Sequence, residues 1–326
     1  MGSLLTALAI ALAPQLPAAP AIDVPDGYRA DRYATGLTRP TAMAWSRDGR
    51  LFVAQNGGRI VVVEPGSARP RTFVRGFTEP LGLVFHRGAL HVSTRGVIWR
   101  VDPETKLRRA IVRDLPFGWH QQDSIVVGTD GRLYFGNGST CDVCREEDRR
   151  AAAILSIRPD GSDLRIEARG LRNPFGLAFR PGTSRLYVSV NGRDDLGEWN
   201  PAESVVVVRR GAHFGWPACW PDWRTRELAG RCRGVTDHLA YLEPHSAAAG
   251  LAFWRGDLFV AEWGEYLNDL HGRRVVRVDP DTGRVRRFAD GFDHPLALAV
   301  DRFGGLLVAD WGRGVIYRIS RTPNGA

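Results

Sequence analysis

A chain of 326 residues with 44% hydrophobic and 25% charged side chains is too apolar for a disordered segment and too charged for a polytopic membrane protein. The net charge of +8 comes almost entirely from arginine, Lys106 being the sole lysine, and no arginine run exceeds two residues. The clustered basic footprint of a nucleic-acid partner is therefore missing, while 37 Gly, 20 Pro and 10 Trp point to a turn-rich β protein.

In chain order, Leu4 to Leu16 form an apolar stretch too short to span a bilayer. Ala19-Pro20-Ala21 follows as a small-residue cleavage site. Residues 1–21 are expected to be an export signal, although a basic n-region is lacking. From Tyr28 onward the chain repeats itself. Second strands begin at Leu51 (LFVAQ), Leu90 (LHVST), Leu133 (LYFGN), Leu186 (LYVSV), Leu258 (LFVAE) and Leu306 (LLVAD). First strands precede them at Pro40, Pro80, Asp123, Pro174, Ala249 and Pro295, and fourth strands end in words such as FVRGF (73–77) and RFADGF (287–292). Repeats of about 40 residues with four short strands each mark a β-propeller. The sixth repeat runs out after Val315-Ile-Tyr-Arg-Ile, and its missing fourth strand is supplied by RYATGL near the N-terminus. That strand covers an edge that would otherwise invite aggregation. The expected architecture is all-β: one six-bladed propeller over 28–320, four antiparallel strands per blade, closed by the N-terminal strand, with a flexible tail over 321–326.

Four cysteines form two local pairs, Cys141 with Cys144 and Cys219 with Cys232, which suit disulfides in an exported protein. A zinc site is the rival, but the second pair lacks the short spacing that structural zinc prefers.

Strand direction puts the loops after second strands and those between blades on one face. The loops between blades carry Arg39, Glu79, His120-Gln121, Arg172-Asn173, His245-Ser246 and His294. Those after second strands carry Gln55, Arg95, Asn137, Asn191-Gly-Arg-Asp-Asp195, Glu262-Trp263 and Asp310-Trp311. Such a mouth suits an anionic or strongly polar ligand, although propeller rims are also polar simply because they are wet. The opposite face carries ordinary turns, such as Ser46-Arg-Asp-Gly and Thr129-Asp-Gly.

Several words, in their order, resemble the glucose/sorbosone dehydrogenase family: His120-Gln-Gln-Asp-Ser-Ile-Val-Val, Cys141-Asp-Val-Cys144, Gly170-Leu-Arg-Asn-Pro-Phe-Gly-Leu, Asn191-Gly-Arg-Asp-Asp-Leu-Gly, His213-Phe-Gly-Trp-Pro-Ala-Cys219 and Phe259-Val-Ala-Glu-Trp-Gly. The resemblance covers residues 28 to 320. It implies an exported enzyme that holds pyrroloquinoline quinone (PQQ) with calcium, oxidises a sugar or polyol and hands electrons to an external acceptor. It predicts a secreted or periplasmic location and no integral membrane contact. His120 would take the proton from the sugar hydroxyl, a task suited to neutral imidazole. Arg172 would polarise the quinone oxygen and stabilise developing charge, while Asn173 and Asn191, the latter standing where the family has glutamine, would contact the cofactor. Main-chain carbonyls of Gly192 and Arg193 would bind calcium, with Asp194 or Asp195 nearby. Trp263, like Trp311, could stack on a planar ligand or pack between blades.

There are departures from that pattern. The lysine expected on a cofactor carboxylate is missing, His294-Pro295 replaces the arginines before the last blade, and Trp119 stands where an aspartate precedes the histidine. Arg39, Arg95, Arg193, Arg273 and Arg313 are the remaining candidates for the carboxylate clamp. Two other functions are consistent with the same mouth: a non-catalytic propeller that binds a glycan or protein, and a calcium-dependent lactonase built on Glu79, Asn137, Asn191, Glu262 and Asp310. Cys144 is followed by Arg145, so the chain has no haem-attachment word.

Overall fold

The computed structural model describes residues 21–266 and 270–322. The expected export signal lies outside the described residues except for Ala21, as does the expected tail beyond Thr322. All regular structure among the described residues is β, in six blades around a central axis. Blade one is Pro40–Trp45, Leu51–Gln55, Arg59–Val63 and Arg71–Arg75. Blade two is Gly82–His86, Ala89–Thr94, Val97–Val101 and Arg108–Val112. Blade three is Gln122–Val127, Leu133–Asn137, Ala153–Ile157 and Arg165–Arg169, and departs from four antiparallel strands because Ala212–His213 pairs parallel with its outer edge as a fifth. Blade four is Asn173–Phe179, Leu186–Asn191, Glu203–Val208 and Ala240–Leu242. Blade five is Ala248–Trp254, Asp257–Glu262, Arg274–Val278 and Val285–Ala289. Blade six is Pro295–Val300, Leu306–Asp310, Val315–Arg321 and the N-terminal Tyr28–Ala34.

Closure occurs as the sequence predicts. Tyr28 pairs with Arg321 and Ala34 with Ile316, antiparallel, so the last blade has its fourth strand from the other end of the chain. The pairing takes in Arg321, which therefore belongs to the sheet rather than to a tail. The long gap between the Leu186 and Leu258 repeats is also explained. Blade four reaches its short fourth strand only after an excursion that holds the hairpin Cys219–Pro221 with Leu228–Gly230, stapled by the Cys219–Cys232 disulfide. Cys141–Cys144 is likewise a disulfide, in the loop after the second strand of blade three.

The core lies between blades rather than within them. Six buried apolar clusters each join two neighbouring blades, and one of them packs Leu307 and Ile316 of blade six on Leu51 and Val53 of blade one. Each fully buried Leu, Ile or Phe contributes about 1.5–3 kcal/mol relative to exposure, so the ring is held shut by the same force that joins every other pair. Near the axis the first strands come too close for side chains. A Cβ on Gly176 would sit 2.2 Å from the Ala249 carbonyl oxygen, and one on Gly250 would sit 2.6 Å from that of Leu296. This close approach is the physical reason for the recurring Gly-Leu words, and it leaves a narrow hollow that the mouth loops surround.

Candidate active site

His120 precedes the first strand of blade three and Arg172 the first strand of blade four. Ser139, in the loop between them, ties the two together. Its N–H donates to the Arg172 carbonyl (2.7 Å) and its own carbonyl accepts from the His120 N–H (3.1 Å). Gly138 makes room for this, since a Cβ there would fall 2.3 Å from the His120 Cβ and 3.1 Å from Asn173 Oδ1.

The same serine sets the tautomer of His120. Ser139 Oγ donates its single proton to the Cys141 carbonyl (2.6 Å). Both Ser139 Oγ, 2.9 Å from His120 Nδ1, and the Ser139 carbonyl, 3.2 Å away, can then only accept. Nδ1 therefore carries the hydrogen and Nε2 the lone pair. Burial and the Arg172 guanidinium push the His120 pKa down to about 4, so the ring is neutral at ordinary pH.

His120 and Arg172 line one cavity of about 480 Å³ at the mouth, together with Asn191, Asp194, Glu203 and His245. Deeper in, a smaller compartment of about 220 Å³ is lined by Asn173, Phe175, Trp263 and Trp311, and it shares Asn191 and Ala247 with the first. The sequence-predicted residues His120, Arg172, Asn173, Asn191, Asp194 and Trp263 are thus brought together. Arg172 is buried, with Nη2 2.8 Å from Asp142 and 2.5 Å from Asp194, while its Nε is buried without a partner. Asn173 and Asn191 are cross-strand neighbours, and Oδ1 of each is buried and unpartnered as well. Gly192 and Arg193 follow directly. Gly192 N–H donates to Glu203 Oε2 (2.5 Å), and the Arg193 side chain pairs with Asp195 and donates to the Pro217 carbonyl. Neither main-chain carbonyl of Gly192 or Arg193 accepts a hydrogen bond among the described residues.

His245 lines the cavity and bonds the Gly197 carbonyl at 3.1 Å. The remaining clamp candidates lie outside the cavity lining. Arg39 covers the Trp311 ring at 4.7 Å, Arg95 pairs with Glu79, and Arg313 lies 3.9 Å from Asp310 and Arg273 3.9 Å from Asp293. His294 stacks against Trp263 (4.2 Å between centroids) and bonds Asp293 Oδ1. The carboxylates and amides that a central lactonase ion would need are mostly drawn elsewhere. Glu262 pairs with Arg274, Glu79 with Arg95 and Asn137 with Gln122, and Asp310 accepts from the backbone of Asp293, His294 and Arg313.

Three residues escape sequence reasoning. Ser139 orients His120, Asp142 holds Arg172 from inside the Cys141–Cys144 loop, and Glu203, buried beside the cavity, has its pKa pushed up to about 8 by desolvation. The one signal that could have found the last is the lone carboxylate heading the apolar run Glu203-Ser-Val-Val-Val-Val.

The unpartnered Arg172 Nε–H, a donor, and Asn173 Oδ1 and Asn191 Oδ1, acceptors, with an aromatic-lined compartment beside them, fit a planar ligand that bears carbonyl or carboxylate oxygens together with an N–H or O–H group. The free carbonyls of Gly192 and Arg193 fit a hard cation such as calcium.

A sequence model described as glucose/sorbosone dehydrogenase matches residues 86–294. An uncharacterized protein of Borreliella burgdorferi is 21% identical over 91% of this chain and 90% of its own length. Aldose sugar dehydrogenase YliI of Escherichia coli is 27% identical over 47% of this chain and 45% of its own. Among solved structures, the PQQ-bound aldose sugar dehydrogenase of Streptomyces coelicolor superposes with a TM-score of 0.73 at 21% identity, covering 91% of this chain and 100% of its own. The holo PQQ domain of pyranose dehydrogenase from Coprinopsis cinerea reaches 0.78 at 19% identity, over 94% and 99%. The calcium structure of the Trichoderma reesei carbohydrate-active enzyme of family AA12 reaches 0.80 at 17% identity, over 94% and 98%.

Proposed function

Because the chain belongs to the glucose/sorbosone dehydrogenase family, we propose that it oxidises an aldose, sorbosone-like sugar or polyol using PQQ and calcium, and passes the electrons to an external acceptor. The observation that carries this reading is the convergence of the His120 Nε2 lone pair and the unpartnered Arg172 Nε on one axial cavity.

When bound, the quinone supplies the acceptor for the hydride that leaves the sugar carbon. His120 takes the hydroxyl proton at Nε2, and Ser139 keeps the ring oriented for it. Arg172, held by Asp142 and Asp194, would offer its unpartnered Nε–H to the oxygen where negative charge develops. Asn173 and Asn191 orient the cofactor through their buried amides, and Trp263 closes one side of its compartment. The carbonyls of Gly192 and Arg193, with Asp194 close by, hold the calcium ion. Two disulfides support a secreted or periplasmic location, and no helix of the described residues is long and apolar enough to cross a membrane.

The test is reconstitution. Apoprotein given PQQ and calcium should reduce an artificial dye when offered aldoses or polyols, and lack of turnover across a broad panel would overturn the proposal. One observation favours a second reading, a propeller that binds a glycan or protein without catalysis: His294 and the rim arginines are already engaged, leaving Arg172 as the sole arginine lining the cavity. Glycan binding that survives removal of both PQQ and calcium would select it.

A further inference from the structure

A second cavity, of about 730 Å³, opens on the face opposite the mouth, in the cleft between blades two and three. Its composition differs from the turn chemistry that surrounds it. On blade two, His91, Arg100 and Arg109 form one row across three strands, since His91 pairs with Arg100 and Arg100 with Arg109 in register. Like charges directly opposite each other across a sheet are destabilising. Neither Arg100 nor Arg109 has a side-chain ion pair or hydrogen bond among the described residues, and only the longer-range attraction of Asp102 for Arg100 offsets that repulsion. On blade three, Arg132, Arg158 and Arg165 share a single carboxylate, Asp163, at 2.9, 3.5 and 2.6 Å. The two acids that line the cleft are Asp130, which accepts from the Tyr134 hydroxyl, and Asp160, which accepts from Ser162 and also attracts Arg158.

His91, which also lines this cleft, holds an unpartnered acceptor that suits a protonated P–OH rather than an ionised P–O− oxygen. His91 is 1% exposed. Its Nε2 lies 3.3 Å from the Pro159 carbonyl, which can only accept, so Nε2 holds the hydrogen and Nδ1 carries a lone pair. That Nδ1 is buried with no partner, as is Nε2 of the neighbouring His86. The blades are locked together here, because Gly161 approaches the Ile111 carbonyl so closely that a Cβ would sit 2.0 Å from it. The cleft is therefore a preformed concavity of the size that small ligands occupy.

We propose that this cleft binds a small molecule carrying two or more phosphate-type oxyanion groups, one held by Arg100 and Arg109 and another by Arg158 and Arg165. Planar guanidinium forks match such oxyanions bidentately, and two arginine pairs on facing blades require two anionic groups. The site is independent of the axial chemistry.

Calorimetric titration of the full chain with sodium tripolyphosphate tests the assignment. Saturable one-to-one binding is expected, weakened at least tenfold in Arg100→Gln and Arg109→Gln and unchanged in Arg47→Gln, which removes the same charge from a blade-one turn on the same face. Arg158→Gln serves as a second probe if a blade-two variant folds poorly. Absence of binding at millimolar concentration, or equal weakening by Arg47→Gln, would overturn the proposal. So would loss of binding in Arg172→Gln, because it would place the anion at the mouth.

Discussion

The Asp142 carboxylate, held inside the Cys141–Cys144 loop, lies 2.8 Å from Arg172 Nη2, and Asp194 approaches the same nitrogen at 2.5 Å. One guanidinium thus faces two carboxylates at the place where, on the function proposed above, a tricarboxylate cofactor would bind. His120 adds no charge, because its pKa of about 4 leaves it neutral.

From this balance follows a metal dependence. Counting Arg172 against Asp142, Asp194 and Glu265, which also lines the cavity, a PQQ trianion would meet a net negative pocket without calcium and a neutral one with it. Unit charges about 4 Å apart interact by about 4 kcal/mol at an effective dielectric near 20. Chelation is therefore expected to raise the PQQ dissociation constant more than tenfold. The gap between chelated and calcium-loaded protein should narrow in Asp142→Asn, as read by fluorescence or calorimetric titration.

His120→Gln should lower kcat for dye reduction by about 10²- to 10⁴-fold, the usual range for loss of a general base, with PQQ affinity retained. Ser139→Ala should cost far less, because the Ser139 carbonyl still accepts from Nδ1 and keeps the tautomer. The base must be neutral to work. In steady-state pH profiles, kcat/KM should stay flat with respect to this group above about pH 5 and decline as pH falls through about 4.

Three buried histidines should each withdraw stability from the fold in a defined acid window. His91, His120 and His238 each have a pKa pushed down to about 4, chiefly by burial, against an ordinary 6.5. Between those values the unfolded chain binds protons that the folded chain does not, so stability is lost as pH falls from about 6.5 to 4. For the buried His91 the slope is about 1.4 kcal/mol per pH unit. Burial pushes Glu203 up to about 8 and Glu262 up to about 7, and these act in the opposite sense over the same range, so the histidine contribution is read as a difference: in thermal unfolding, His238→Gln should gain stability relative to the unsubstituted chain as pH falls from about 6.5 to 4.

Gly176→Ala places a methyl group where the Ala249 carbonyl oxygen lies 2.2 Å away, so blades four and five must part locally. Overpacking of this kind costs about 1–3 kcal/mol. Urea unfolding should report a loss of that order. Gly182→Ser, with nothing within 4 Å of its Cβ position, serves as a solvent-facing comparison that pays only for its positive φ of 74°.

The repeat was legible because each blade buries its second strand on both faces, which demands apolar runs such as Leu51–Gln55 and Leu258–Glu262 at similar spacing. Blade four's fourth strand was not. Ala240–Leu242 is only three residues long and lies beyond a disulfide-stapled excursion, so no fourth-strand word marks it. The meeting of His120 with Arg172 could be read from strand direction together with the family words. Their supports could not: Ser139 and Asp142 act through loop geometry that no residue spacing encodes. Arginine on the rim was equally visible, but its partners were not. Arg95 and Arg193 are committed to Glu79 and Asp195, contacts between side chains that are set only by packing.

The most direct measurement is a spectroscopic titration of the calcium-loaded chain with PQQ, followed by anaerobic addition of an aldose. The account predicts one PQQ bound per chain and loss of the oxidised-quinone absorbance on adding sugar, with His120→Gln still binding PQQ but leaving that absorbance unchanged. Failure of the wild-type chain to take up PQQ at micromolar concentration, or sugar-dependent reduction that proceeds equally in His120→Gln, would contradict it.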